Sequence, residues 1–144
     1  MYSLKQLSEI RADIGAFSLS APDEMLRAEI SDMQSICNGV GCNHPEHMPR
    51  PIRKVLNRVM RFAKCSAAIH DWRYANSDGT EEGRLIADKE FRANMLDEIA
   101  CRKGHFKWLK EWIALRAFKA VRRCGMSDWC IAFVARQTKK HSDE

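Results

Sequence analysis

The sequence predicts an all-α fold, a single domain of about five to six helices built around an antiparallel helix pair. Apolar residues recur at intervals of three and four along most of the chain, and strand signals are almost absent. Segments rich in glycine, asparagine and proline separate these helical stretches. With 144 residues, 45% of them apolar, the chain can bury one hydrophobic core and leaves no room for a second domain, so we expect residues 1–144 to form one unit.

Two helices are predicted before residue 38. The first places four apolar residues on one face, namely Leu4, Leu7, Ile10 and Ile14. The second is predicted from the Ser20-Ala-Pro-Asp-Glu segment, which offers an N-cap, an early proline and acidic residues in the first turn, to about Cys37. The glycines, asparagines and prolines of residues 38–51 then predict an irregular segment.

The remaining helices follow from the same signals. A long third helix is predicted over about 51–74, and the Asn-Ser-Asp-Gly-Thr sequence of 76–80 predicts a turn. The fourth helix runs over about 80–101, and a glycine separates it from a basic helix over about 105–124. Ser127 is predicted to cap a short last helix before a polar tail.

A histidine and an aspartate are predicted to meet across the third and fourth helices. Because the connection between these helices is short, they should lie antiparallel, with His70 and Asp88 at similar heights and within hydrogen-bonding reach. Asp88 interrupts an otherwise apolar stripe, which indicates a carboxylate that is buried with a partner or lies at a cleft. Tyr74 shares the face of His70, and Asp71 projects about 100° further round the helix. A general base and an oxygen ligand for a cation would then lie side by side.

Basic residues are concentrated in the last third of the chain. From Arg102 onward there are eleven Lys or Arg and four Asp or Glu, a net charge of +7, so the first 101 residues carry −2 of the total of +5. Aromatic residues interleave with these cations, a mixture suited to anionic lipid head groups or to phosphates. The alternative is that the aromatics are core and the charges form a solvated face. The candidate contact residues are Lys107, Trp108, Lys110, Trp112, Arg116, Lys119, Arg122 and Arg123.

Three motifs, spread over residues 36–100, resemble those of the phospholipase A2-like superfamily. His70-Asp71-Trp72-Arg73-Tyr74 matches the His-Asp-x-x-Tyr of the secreted enzymes. Ala87-Asp88-Lys89-Glu90-Phe91 is similar to the second-helix Asp motif of the bacterial, phage and parvovirus-capsid branches. Upstream, Cys37-Asn38-Gly39-Val40-Gly41 resembles the glycine-rich calcium loop. The basic helices predicted within 102–137 lie outside the resemblance.

The resemblance implies a role for each matching side chain. His70 would be the general base that takes a proton from the attacking water. Asp88 would hold the imidazole in the correct tautomer, and Tyr74 would brace Asp88 through its hydroxyl. Two alternatives stay open from the residues alone: His70 is a satisfied core histidine, and Asp71 pairs with a nearby arginine.

Two alternative metal sites involve the segment before the third helix. By the resemblance, Asp71 and the backbone carbonyls of Gly39 and Gly41 would hold calcium, which would polarise an ester carbonyl. A tetrahedral zinc site is the alternative, because two thiols and two imidazoles fall within eleven residues. Its ligands would be Cys37, Cys42, His44 and His47. If zinc bound there, the two glycines could not readily serve calcium as well.

Two functions from different classes are compatible with these features. The first, which the resemblance implies, is a phospholipase A2-like, calcium-dependent hydrolase of glycerophospholipids, encoded by a phage or prophage, whose basic third meets a membrane surface. The second is a non-catalytic helical phage protein, with or without zinc, that binds nucleic acid or a virion protein through its basic face. No apolar run approaches the roughly 20 residues that cross a bilayer, and the N-terminus lacks the apolar core of a secretory signal. We therefore expect a cytoplasmic or virion-associated protein whose six cysteines are thiols or metal ligands.

Overall fold

The computed structural model describes residues 2–37, 58–102 and 104–142, and every regular element within these ranges is helical. The prediction of an all-α fold is confirmed. In chain order the elements are α1 (Leu4–Ala16), α2 (Asp23–Arg27), α3 (Ile30–Ile36), a 3₁₀ turn (Met60–Ala63), α4 (Lys64–Ala75), α5 (Glu81–Cys101) and α6 (Lys107–Ser142). Within the described ranges, no helix combines the length and the apolar character needed to cross a bilayer.

The turn between α4 and α5 is defined by its own side chains. Asp78 accepts hydrogen bonds from the backbone amide and the hydroxyl of Thr80, and Thr80 in turn caps α5 by accepting from the Gly83 amide. Gly79 has a φ of +75°, and a Cβ at this position would meet the ring of Phe133 at 2.8 Å. Glycine is therefore required here by the backbone and by the packing of α6.

The second predicted helix is two short helices, α2 and α3, separated by extended backbone at Ala28 and Glu29. Ala28 turns its carbonyl towards α1, where the Arg11 guanidinium donates a hydrogen bond to it. Ser20 is not a cap, because α2 begins after Pro22 and the Ser20 hydroxyl donates to Glu90. The Ser20 amide donates to the side chain of Asn94. Tertiary hydrogen bonds have replaced the local ones that the sequence suggested.

The C-terminal region also differs from the prediction, because α6 is one continuous helix from Lys107 to Ser142. The break expected near 124 and the cap expected at Ser127 are both wrong. Gly125 lies within the helix, where it is buried against Tyr74. A single glycine weakens a helix by about 1 kcal/mol relative to alanine, and the contacts along α6 offset this cost.

Helix α4 lies between two apolar clusters. On one side it packs against α1, α2 and α3 through Ala68 and Ile69, with Leu7, Ile10, Met25 and Met33 among the buried partners. On the other side it contributes Ala67 to a cluster with α5, α6 and the 3₁₀ turn, which contains Met60, Phe91, Met95, Ile99 and Ala114. Burial of such a side chain contributes roughly 1.5–3 kcal/mol. The helix that carries His70 is therefore held from both sides.

Candidate active site

The histidine and aspartate of the two motifs are in contact. The Nε2 atom of His70 lies 3.0 Å from Oδ1 of Asp88. Further along the same two helices, Ser66 contacts Glu98, so the pairing runs in opposite directions along α4 and α5. The antiparallel arrangement and the His70–Asp88 contact are both as predicted. The Asp88 side chain is fully buried, whereas 11% of the His70 side chain is exposed.

Tyr74 and Phe91 fix the position of the imidazole. The Tyr74 hydroxyl donates a 2.8 Å hydrogen bond to Oδ1 of Asp88, the same oxygen that faces His70. Its ring centroid lies 4.3 Å from that of His70, and the Phe91 centroid lies 4.5 Å from the imidazole. Trp129 of α6 packs edge-on against Tyr74 at 5.0 Å. Aromatic contacts of this kind add about 0.5–1.5 kcal/mol beyond their buried area.

Two arginines occupy the other side of the Asp88 carboxylate. Arg122 Nη1 donates a 2.9 Å hydrogen bond to Oδ2, and Arg84 Nη1 lies 3.6 Å from the same oxygen. Glu81 binds both guanidinium groups. Arg84 and Asp88 are four residues apart on one helix, and this spacing could have predicted their contact. Arg122, which we grouped with phosphate-contacting residues, instead reaches Asp88 and Glu81, and no local pattern indicates this.

The charges around Asp88 set the protonation of the site. Burial raises the pKa of Asp88, but the hydrogen bonds from His70, Arg122 and Tyr74 together outweigh it and hold the pKa below its usual range. Burial and the adjacent Asp88 charge raise the pKa of the Tyr74 hydroxyl well above its ordinary value. At neutral pH, Asp88 is therefore a carboxylate and Tyr74 a donor. An imidazole that donates from Nε2 to this carboxylate has Nδ1 left as its acceptor nitrogen.

No protein-family model matches this chain, and neither does any curated protein or any solved structure. The likeness to phospholipase A2 therefore depends on the sequence motifs and on the contacts around His70.

Asp71 lies on the neighbouring face of α4, as its position in the helix predicted. Burial is the main cause that raises the pKa of Tyr2 and of Cys37, and the negative charge of Asp71 raises both pKa values further. Asp71 thus faces the start of α1 and the end of α3, where the chain enters residues 38–57. Asp71 has at least one interaction partner of its own. Of the arginines near it in the sequence, Arg73 donates to Glu90 and Arg84 donates to Glu81.

The two metal hypotheses share a segment that lies outside the described residues. Gly39 and Gly41, the proposed calcium carbonyls, and Cys42, His44 and His47 of the zinc set all fall there, so both sites stay predictions. Cys37 is described: it is fully buried, and its thiol donates to the Ala68 carbonyl at 3.5 Å. Burial raises the pKa of Cys37 to about 12, so its thiol is protonated at neutral pH. In the described ranges, no cluster of three or more His, Cys, Asp and Glu has the arrangement of a metal site.

The aromatic and basic residues of α6 divide into two groups. Trp108 and Trp112 are 69% and 52% exposed, so these two are not core, and Arg116 stacks over the Trp112 ring at 4.9 Å. Trp129 and Phe118, further along the helix, are respectively buried and half-buried. Of the remaining candidate contact residues, Lys107, Lys119 and Arg123 are exposed, whereas Lys110 and Arg122 are partly buried.

A concavity of about 760 Å³ lies beside α1 rather than over the His70 imidazole. Tyr2, Phe17, Arg61 and Arg102 are among its lining residues. The His70 ring contacts Asp88 through a hydrogen bond and Tyr74 and Phe91 through their rings.

Proposed function

We propose that this chain is a phospholipase A2-like, calcium-dependent ester hydrolase that acts on glycerophospholipids. One observation carries the proposal: His70 Nε2 lies 3.0 Å from the buried Asp88, whose same oxygen also accepts from Tyr74. A histidine fixed in this way has one free role for its second ring nitrogen, which is to accept a proton from water. The resemblance to phage and capsid enzymes favours a phage or prophage origin.

The reaction follows from the two nitrogens of the imidazole. As a water oxygen attacks the ester carbonyl carbon, His70 Nδ1 takes one water proton, and the new charge on the ring is stabilised by Asp88 at Nε2. When the tetrahedral intermediate collapses, the bond to the leaving alcohol breaks and Nδ1 returns the proton to that alkoxide. Such a general base contributes about 10²- to 10⁴-fold to the rate.

Calcium would be held by Asp71 together with the backbone carbonyls of Gly39 and Gly41. The carboxylate of Asp71 is the hard oxygen ligand that this cation prefers. When bound, the cation would supply a Lewis acid next to the ester carbonyl. The proximity of Asp71 and His70 on one helix is what allows a single substrate carbonyl to lie near both groups.

The exposed part of α6 would bring the enzyme to its substrate. Trp108 and Trp112 present indole rings to solvent, and Lys107 and Lys119 flank them. Exposed tryptophans with interspersed cations are typical of surfaces that bind anionic bilayers. We propose that this face, together with Arg116 and Arg123, lies on the membrane. Lys110 is partly buried on the opposite side of α6, where it lines the concavity beside α1.

The test is fatty-acid release from vesicles of mixed neutral and anionic phospholipids, with calcium and with a chelator. The wild type should release fatty acid only when calcium is present. His70→Ala should lower the rate by about 10²- to 10⁴-fold, whereas His105→Ala, at an exposed histidine away from the site, should leave it unchanged. Absence of release by the folded wild type, or release by His70→Ala at the wild-type rate, would contradict the proposal.

The hydrogen-bond and charge partners of Asp88 also favour a second candidate function. Both of its oxygens have partners, two arginines balance its charge, and His70 is mostly buried. A purely structural polar core would have the same features. In that case the basic face of α6 would bind nucleic acid or a virion protein. Salt-sensitive binding of duplex DNA or RNA, combined with no fatty-acid release, would support this alternative.

A further inference from the structure

Arg122 lies in α6, outside the three motifs and far along the chain from them, yet it contacts the centre of the candidate site. We infer that Arg122 is a positioning residue, which holds Asp88 in the orientation that His70 needs for the proposed hydrolysis. The inference rests on the proposed function, but part of its test below does not require activity.

The two oxygens of Asp88 have separate partners. Oδ1 faces His70 at 3.0 Å and Tyr74 at 2.8 Å, whereas Oδ2 accepts from Arg122 at 2.9 Å. A carboxylate bound at one oxygen can still rotate about its Cβ–Cγ bond, and one bound at both oxygens cannot. Arg122 is itself held, because its second terminal nitrogen donates to Glu81. The guanidinium fork suits this bridging geometry, and an ammonium group does not.

The charges of the cluster balance. Asp88, Arg84 and Glu81 belong to α5, Arg122 comes from α6, and α4 supplies Tyr74, with Asp71 on its adjacent face. The two carboxylates of α5 offset the two guanidinium groups. Without Arg122 the cluster would carry a net negative charge, and Oδ2 of Asp88 would keep only Arg84, whose Nη1 lies 3.6 Å away, as a cationic neighbour.

The same face of α6 supports the other partner of Asp88. Gly125 and Trp129 follow Arg122 at helical spacing, and both contact Tyr74. A Cβ at Gly125 would lie 2.5 Å from the Tyr74 hydroxyl oxygen. The absence of a side chain there lets α6 approach closely enough for Arg122 to reach Oδ2. One face of α6 therefore orients Asp88 through Arg122 and confines Tyr74 through Gly125 and Trp129.

The experiment compares Arg122→Gln and Arg122→Lys with the wild type, and uses Arg27→Gln, an 83% exposed arginine of α2, as a matched control. Calcium-dependent fatty-acid release gives kcat and KM, and sedimentation with anionic vesicles gives binding. We expect Arg122→Gln to lower kcat by about 10- to 100-fold, as loss of an orienting partner does at other sites. KM and vesicle binding should stay at the wild-type values. Arg122→Lys should recover part of kcat.

A role in phosphate contact would give the opposite pattern, with weaker vesicle binding, a raised KM and an unchanged kcat, and that result would overturn the inference. A second measurement is independent of activity. Solvent exchange of the His70 Nε2 proton, followed by NMR on the folded proteins, should be faster in Arg122→Gln than in the wild type. Equal exchange would also overturn the inference. An inactive wild type with faster exchange in Arg122→Gln would refute the proposed function and retain the positioning role.

Discussion

Gly125→Ala adds a single methyl group to α6 at the point where this helix touches Tyr74. In an unconstrained helix interior this substitution stabilises, because alanine is favoured over glycine by about 0.5–1 kcal/mol. At Gly125 the new Cβ would lie 2.5 Å from the Tyr74 hydroxyl oxygen and 3.3 Å from two ring carbons. The sign of the change therefore depends on whether Tyr74 can move away without loss.

The contacts of Tyr74 show that moving it is costly. An ordinary contact begins near 3.4 Å, so the hydroxyl has to retreat by about 0.9 Å from its 2.5 Å separation. A displacement of that size breaks a hydrogen bond of 2.8 Å such as the one to Asp88. A hydrogen bond to a charged group contributes about 1.5–3 kcal/mol. After the helix gain is subtracted, Gly125→Ala should lower the free energy of unfolding by about 1–2 kcal/mol.

Urea denaturation followed by circular dichroism measures this change. Gly15→Ala is the matched control, because nothing lies within 4 Å of a Cβ at that helical glycine, and it should stabilise by about 0.5–1 kcal/mol. Tyr74→Phe removes the atom that the new methyl group meets, so Gly125→Ala should be less destabilising in the Tyr74→Phe background. If Gly125→Ala stabilises the protein as much as Gly15→Ala does, the close packing of α6 on Tyr74 is refuted.

Three further predictions concern other parts of the molecule. Glu98 is fully buried and accepts hydrogen bonds from the first turn of α4 and from Arg102. Glu98→Gln should therefore lower the free energy of unfolding in urea by about 3–5 kcal/mol, with Glu9→Gln at an exposed position as the control. A loss below about 0.5 kcal/mol would contradict this. The pKa of Asp88 is lower in the folded protein than in the unfolded chain, so its ionised form stabilises the fold above the unfolded value of about 3.9, and this contribution disappears as pH falls through the folded value. Asp88→Asn should therefore make the free energy of unfolding less dependent on pH, when urea denaturation is measured at several pH values from about 2 to 6. A pH dependence equal to that of the wild type would be inconsistent with a buried, ionised Asp88. Trp108→Ala and Trp112→Ala should each weaken binding to anionic vesicles by about tenfold, whereas Ile86→Ala, at an exposed position of α5, should leave this binding unchanged. Binding of all three variants at the wild-type strength would remove the membrane role of α6.

Local features of the sequence were enough to predict the centre of the site. The spacing of His70 and Tyr74 on one helix, and the short turn before Asp88, depend only on helical periodicity and chain length. Because an antiparallel pair joined by a short turn has little freedom in register, these local features also predict which residues face each other. The bounds of α5 followed from the turn predicted over 76–80 and from the glycine after Cys101.

What could not be predicted depends on contacts between distant segments. Arg122 reaches Asp88 only because α6 packs along α5, and an arginine in a basic helix has the same local signature whether it faces solvent or a carboxylate. The break between α2 and α3 likewise reflects a hydrogen bond from Arg11, and the Ser20 hydroxyl donates to Glu90 instead of capping a helix. In each case a polar side chain could form its hydrogen bond either within its own segment or with a distant one.

The most direct measurement of whether His70 and Asp88 act together is a double-mutant cycle in the rate of fatty-acid release. The proteins compared are wild type, His70→Ala, Asp88→Asn and the double variant, each at the same folded fraction. Groups that act as one catalytic unit are strongly non-additive. The account predicts that the double variant is no slower than His70→Ala alone. Additive losses, or full activity in either single variant, would contradict it.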